Sequence, residues 1–135
     1  MEQKDYLLRE VEKIGALLKM IFKKLISGDV NYSLALEKQF DQAKGQMINE
    51  IGFDLEKFLS LDKTETGEYI AKIEGFNVQN IELLADILKE VGLKVKNDIS
   101  EIYLDKALQL YELCSSMDKT YSYDRENKIY ELKNK

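Results

Sequence analysis

Leu7, Val11, Ile14, Leu18, Ile21 and Leu25 follow one another at alternating spacings of four and three residues. An α-helix brings such a series onto one face, whereas a strand would need apolar residues at every second position. No proline interrupts this stretch or any other in the chain, so nothing removes a helical hydrogen bond from within. Leu8, Leu17, Met20, Phe22 and Ile26 widen the stripe beyond a single seam. A helix over about residues 3–26 is therefore expected to be touched on more than one side and to lie centrally in the fold.

The same period recurs downstream. A second helix is expected over 32–50, turning Leu36, Phe40, Ala43, Met47 and Ile51 inward, with Ser27-Gly28-Asp29 before it and Gly52 after it as punctuation. The segment FDLEKFLSL (53–61) has room for one or two helical turns. Asp62 and Glu65 stand at capping-box spacing and open a helix over 63–74 that contains Gly67 and is closed by Gly75. Asn77 caps a helix over 78–96 carrying Ile81, Leu84, Leu88, Val91 and Val95. Asp98 and Glu101 repeat the capping-box spacing ahead of a helix over 99–117. The last helix, 123–133, starts at Ser122, with Asp124 and Glu126 in its first turn and Lys133 in its last, a charge order that suits the helix dipole. The expected class is all-α, a compact bundle of six to seven helices. No linker or low-complexity tract divides residues 1–135, so a single domain is expected.

Two of these helix pairs share a finer pattern. In the tetratricopeptide unit the first helix carries a large residue, a pair ending in glycine and another large residue. The second helix carries a small residue followed four later by an aromatic. Leu88, Val91-Gly92 and Val95 match the first helix, and Ala107, Tyr111 and Cys114 the second. Val11, Ile14-Gly15 and Leu18 match again, followed by Leu36, Phe40 and Ala43. Glycine inside a helix costs about 1 kcal/mol relative to alanine, so Gly15 and Gly92 mark places where the partner helix of each pair comes too close for a side chain. The signature's large aromatics and closing proline are missing, and roughly 25 residues separate the pairs. The pattern therefore predicts two divergent hairpins inside one bundle, not a regular solenoid.

Bulk properties exclude several functions. The chain holds twenty basic and twenty-five acidic residues, a net charge of −5, which repels phosphate backbones and argues against a nucleic-acid partner. With one cysteine and no histidine, a disulfide staple is excluded and a zinc site lacks its usual ligands. The opening MEQKDYLLREVEK carries acids where a secretory leader carries positive charge, and no apolar run exceeds three residues. A cytoplasmic protein is expected; the sequon Asn31-Tyr32-Ser33 is then incidental.

The opening Gln3-Lys4-Asp5-Tyr6-Leu7-Leu8-Arg9-Glu10-Val11-Glu12, together with FDLEKFLSL, NIELLADILKEVG (80–92) and YLDKALQLYE (103–112), resembles a group of small uncharacterised bacterial helical proteins related to the DUF6483 domain. The resemblance spans nearly the whole chain and rests mostly on packing residues. It implies a tetratricopeptide-like helical domain of a soluble bacterial protein, and it carries over no catalytic residue, cofactor or ligand.

Candidate chemistry is sparse. Cys114 has no histidine to activate it and falls on an apolar stripe, which predicts a buried, unreactive thiol. Asp98, Glu101 and Asp105 share roughly one helical face and have oxygen ligands suited to Mg²⁺ or Ca²⁺, but without a glycine-rich loop; a carboxylate-metal enzyme is the weakest reading. Asp54 with Glu56, and Asp62 with Glu65, are acid pairs explained equally well as caps. The stretch KIGALLKMIFKKLI (13–26) carries Lys13, Lys19, Lys23 and Lys24 and no acid, the composition of a helix that lies on an anionic membrane. Its apolar face is also needed for the core, which argues against that use. Tyr111, Tyr121, Tyr123 and Tyr130 suit a peptide-binding edge or a seal on the last hairpin. The favoured function is a protein–protein interaction or scaffold module without catalysis, its partner an unidentified protein or a second copy, with peripheral membrane association the alternative.

Overall fold

A computed structural model describes residues 2–27, 33–95 and 98–134. The expected glycine punctuation at 28 and the sequon at 31–32 lie outside them. Among the described residues the chain forms seven helices and no strand: α1 (Glu2–Ser27), α2 (Ser33–Ile51), α3 (Leu55–Leu59), α4 (Lys63–Ala71), α5 (Val78–Lys94), α6 (Ser100–Met117) and α7 (Tyr123–Lys133). Their starts follow local chemistry. Asp62 accepts from the Glu65 backbone N–H at 2.8 Å while Glu65 reaches back to the Asp62 N–H at 3.1 Å, a complete capping box. Asn77 and Ser122 accept from the backbone N–H three residues on, at 2.9 and 3.2 Å. The box expected at Asp98 does not form. Here α6 begins at Ser100, Ile99 takes the cap position, and the Ser100 hydroxyl donates to the Gly92 carbonyl at the end of α5. That bond ties the two helices directly, so the start of α6 is set by its neighbour.

The central helix is α5, where the apolar stripe of α1 had suggested α1. Along α5, Ile81, Leu84, Ala85, Ile87, Leu88, Val91 and Gly92 are all buried. It packs most extensively on α6, then on α1, and also meets α2, while α6 further contacts α3, α4 and α7. Within α1 the residues that enter the core are Ile14, Leu17, Leu18, Ile21 and Leu25. Leu7, Leu8, Met20 and Ile26 stay exposed, because α5 covers one face of α1 and not its whole girth. Phe40, Ala43 and Met47 bring α2 into the same interior.

The short α3–α4 segment closes the bundle with aromatics. Phe53 stands 5.0 Å from Phe58, 5.5 Å from Tyr69 and 5.7 Å from Phe76, ring centre to ring centre. The Tyr69 hydroxyl accepts from the Asp54 backbone N–H at 2.9 Å. Helix α4 runs through Gly67 and stops at Ala71, three residues short of the expected end, and the chain turns at Gly75 with φ +98°. A Cβ there would sit 2.8 Å from the Glu10 carbonyl carbon and oxygen, so this turn needs glycine both for its backbone angle and for its contact with α1.

Candidate interaction surface

The residues around the end of α6 dictate how α7 docks. Asp118 leaves helical geometry after Met117, and its carboxylate accepts from the Thr120 N–H at 3.0 Å, folding the chain back. After Ser122 starts α7, Arg125 and Ile129, four residues apart, share the face turned inward and are its buried residues. Burying a guanidinium requires partners. Its Nε donates to Glu82 at 2.9 Å and its terminal nitrogen to Asp118 at 3.2 Å. Lys128, one turn on, bridges Glu82 and Asp86, each at 3.0 Å, and stands 5.5 Å over the Tyr111 ring. Glu82 and Asp86 are themselves four apart on α5, so one acidic face receives both cations.

The electrostatics follow from that geometry. Burial works to lower the Lys128 pKa, but the hydrogen bonds to Asp86 and Glu82 outweigh it and hold the ammonium above its usual range. The Thr120 N–H and the Arg125 guanidinium hold the Asp118 carboxyl below the ordinary value. Tyr111, fully buried, donates its hydroxyl to Asp86, and burial together with that carboxylate pushes its pKa up. Burial also pushes the Cys114 thiol up to about 12. With its sulfur 3.5 Å from the Val78 carbonyl, Cys114 is buried in the core, where its stripe places it.

The four C-terminal tyrosines separate into two kinds. Tyr111 belongs to the core and contributes nothing to an edge. Tyr121, Tyr123 and Tyr130 are 66%, 78% and 68% exposed. Tyr121 and Tyr123 meet edge to face with ring centres 4.9 Å apart. Tyr123 and Tyr130, seven residues apart on α7, lie on one side of that helix. Beside them Ser115, Asp118, Thr120, Tyr121, Arg125 and Glu126 line an open depression of about 350 Å³. The result is an aromatic rim next to charged groups already engaged in ion pairs.

The hairpin residues are placed as follows. A Cβ on Gly92 would stand 2.7 Å from the Leu104 side chain and 3.2 Å from the Ser100 carbonyl oxygen, both on α6. Ala107, Tyr111 and Cys114 face α5 from within the core. Gly15 is also buried, but what crowds it is Asn80 of α5, whose Oδ1 would lie 3.0 Å from an added Cβ. Among the described residues α1 packs far less extensively on α2 than on α5, and Leu36, Phe40 and Ala43 are buried in the shared interior.

Two buried cations escape a reading by residue type. Lys106, only 3% exposed, donates to the Leu61 carbonyl, to Thr66 Oγ1 and to Gln109 Oε1 and lies 5.3 Å over the Phe58 ring. Among the described residues it forms no ion pair, and desolvation lowers its pKa. The available signal is its spacing, three after Tyr103 and four before Leu110, both buried. Arg125 gives the same kind of signal by standing four before Ile129.

The acid candidates disperse. Asp98, Glu101 and Asp105 are exposed, and among the described residues no group of three His, Cys, Asp or Glu side chains is placed to hold a metal ion. Asp54 caps α3, Glu56 accepts from Lys44 at 2.7 Å, and Asp62 and Glu65 complete their capping box. The lysines of the basic stretch, Lys13, Lys19, Lys23 and Lys24, are exposed, while its apolar face is spent on the core. No helix among the described residues is long and apolar enough to cross a membrane. Comparison with protein-family models, curated proteins and solved structures yields no match.

Proposed function

We propose that this chain is a non-catalytic interaction module, built on tetratricopeptide-like hairpins and meeting a protein partner through the rim Tyr121, Tyr123 and Tyr130. The observation that carries the reading is the exposure of all three rings on α7 and its approach, while Phe53, Phe58 and Tyr111 are wholly buried. Tyrosine offers a large, stiff contact area with few rotors to freeze, so an exposed tyrosine pair already in ring contact is inexpensive to bind with. The resemblance to the DUF6483-related bacterial group fits this reading, since it brings packing residues and no chemistry. A cytoplasmic setting and a second copy of the chain as partner belong to the same proposal.

The test compares the full chain with Tyr121→Ala/Tyr123→Ala/Tyr130→Ala. The exposed rings contribute little to the core, so the variant is expected to melt as the parent does. Light scattering on a sizing column is expected to show self-association of the parent at micromolar concentration, and cross-linking in cell extract a discrete partner, with both lost or weakened at least tenfold in the variant. Equal association and equal cross-links in the two proteins remove the rim as the contact surface. A strictly monomeric parent removes the homodimer.

A further inference from the structure

Helix α7 is held to the molecule differently from every long helix beneath it. Its aliphatic anchor is Ile129, with Leu132 half-buried. The remainder is ionic or polar. Arg125 engages Glu82 and Asp118, and Lys128 engages Glu82 and Asp86. Lys133 pairs with Glu112 at 3.4 Å, Glu131 with Lys89 at 3.3 Å, and Glu126 accepts from Ser115 at 2.9 Å. By contrast, the α5–α6 interface buries aliphatic and aromatic side chains along its whole length. Salt screens the more exposed pairs, Lys133 with Glu112 and Lys89 with Glu131, more than the buried Arg125 pair, and it does not screen apolar attachment. The two layers therefore have separable stabilities, with α7 at the weak end.

We propose that α7 is an exchangeable strap occupying a helix-binding face of α5–α6, and that this face accepts in its place a partner helix whose docking side carries two cations and an aliphatic anchor. The occupant in place defines the ligand chemistry: a guanidinium and an ammonium three residues apart, with an aliphatic side chain directly after the ammonium, as in Arg125, Lys128 and Ile129. Glu82 and Asp86, four apart on α5, take the two cations, and the Tyr111 ring lies under the ammonium. The strap is tied by the short link 118–122, whose high effective concentration keeps the face covered until a competitor arrives. Lifting α7 also moves Tyr123 and Tyr130, so exchange beneath the strap and contact at the rim are coupled. This inference rests on the reading of the chain as an interaction module and adds the partner's chemistry and the means of control.

The experiment uses the full chain and a fluorescein-labelled peptide of residues 120–134 as the probe. Amide hydrogen exchange on the parent is expected to show α7 exchanging at least tenfold faster than α5 and α6, and faster still in 0.5 M NaCl. Fluorescence anisotropy is expected to show weak peptide binding to the parent. Binding to Arg125→Glu/Lys128→Glu, whose own strap is repelled by Glu82 and Asp86, is expected to be at least tenfold tighter. A peptide carrying the same two reversals is expected not to bind. If α7 exchanges in step with α5 and α6 at every salt concentration, the strap is a fixed part of the core and the proposal falls, whatever the variant does. If α7 opens alone but the reversed-charge variant, with α5 and α6 as protected from exchange as in the parent, takes up no peptide, the face is not a helix site. Neither measurement uses the tyrosine variant or a cellular partner, so loss of the rim reading and loss of the strap are told apart.

Discussion

The α5–α6 pair and the α1–α2 pair carry the same glycine-centred pattern, and they pack in different ways. Gly92 lies directly against α6: Ser100 donates its hydroxyl to the Gly92 carbonyl and holds its own carbonyl 3.2 Å from where a Cβ would be. Gly15 sits in the matching place of its own motif, yet the atom crowding it is the Asn80 side chain of α5. Asn80 is there because its Nδ2 donates to the Val11 carbonyl at 2.9 Å and to the Gly75 carbonyl at 2.8 Å. One glycine admits a neighbouring helix and the other admits a hydrogen-bonded side chain. A helix-interior glycine thus reports that something comes close, and only the three-dimensional fold says what.

Filling the first gap gives the largest expected effect. Gly92→Leu places a branched side chain where even a Cβ would be 2.7 Å from Leu104, and overpacking of this kind costs about 3 kcal/mol. Thermal unfolding should show a drop of many degrees. A melting temperature equal to the parent's would mean that α6 can shift freely, and the contrast between the two glycines would collapse.

Removing the group that fills the second gap comes next. Asn80→Ala removes two side-chain hydrogen bonds, to the Val11 and Gly75 carbonyls, from the contact between α5 and α1, a loss of about 2 kcal/mol. The same change frees the space beside Gly15. In the parent, Gly15→Ala must displace an amide pinned by two hydrogen bonds, which offsets the roughly 1 kcal/mol that alanine gains in a helix. In the Asn80→Ala background that gain should appear in full. A double-mutant cycle by chemical denaturation measures the coupling, expected at about 1 kcal/mol. Strict additivity would show that Asn80 does not restrain α1.

Much of this architecture is legible in the residues because it is locally encoded. Apolar period acts within a few positions, as does capping chemistry at α3, α4, α5 and α7, so the helices fall close to where they are expected, with ends displaced by three residues at most, although the cap expected for α6 does not form. The pairing of α1 with α5 is not encoded that way. The stripe from Ile14 to Leu25 states that a face is apolar and leaves its partner open, and Leu7 and Leu8 continue the period beyond the reach of α5. Lys106 and Arg125 are hidden for a related reason. Beside the near partners Gln109 and Asp118, each relies on partners some 40 residues away in the chain, Leu61 and Thr66 for one and Glu82 for the other, so composition reads both as solvated. Tyr111 and Tyr123 are chemically the same side chain. The first falls on the stripe of Ala107 and Cys114 and is buried, and the second opens a helix that turns Arg125, Lys128 and Ile129 inward and leaves Tyr123 exposed.

The smallest effect sharpens the comparison from the opposite side. Gly45 in α2 and Gly67 in α4 are helical glycines where, among the described residues and beyond the local helix backbone, no atom lies within 4 Å of an added Cβ. Nothing there requires glycine, so each carries its conformational cost without a packing return. Gly45→Ala and Gly67→Ala should each stabilise the protein, by about 0.5–1 kcal/mol, through helix propensity and a less disordered unfolded chain. The gain should be visible as a rise of a few degrees in melting temperature with the denaturant slope unchanged. If either variant is instead destabilised as Gly92→Leu is expected to be, open space around a helical glycine is no guide to its tolerance, and the distinction between Gly15 and Gly92 loses its physical basis.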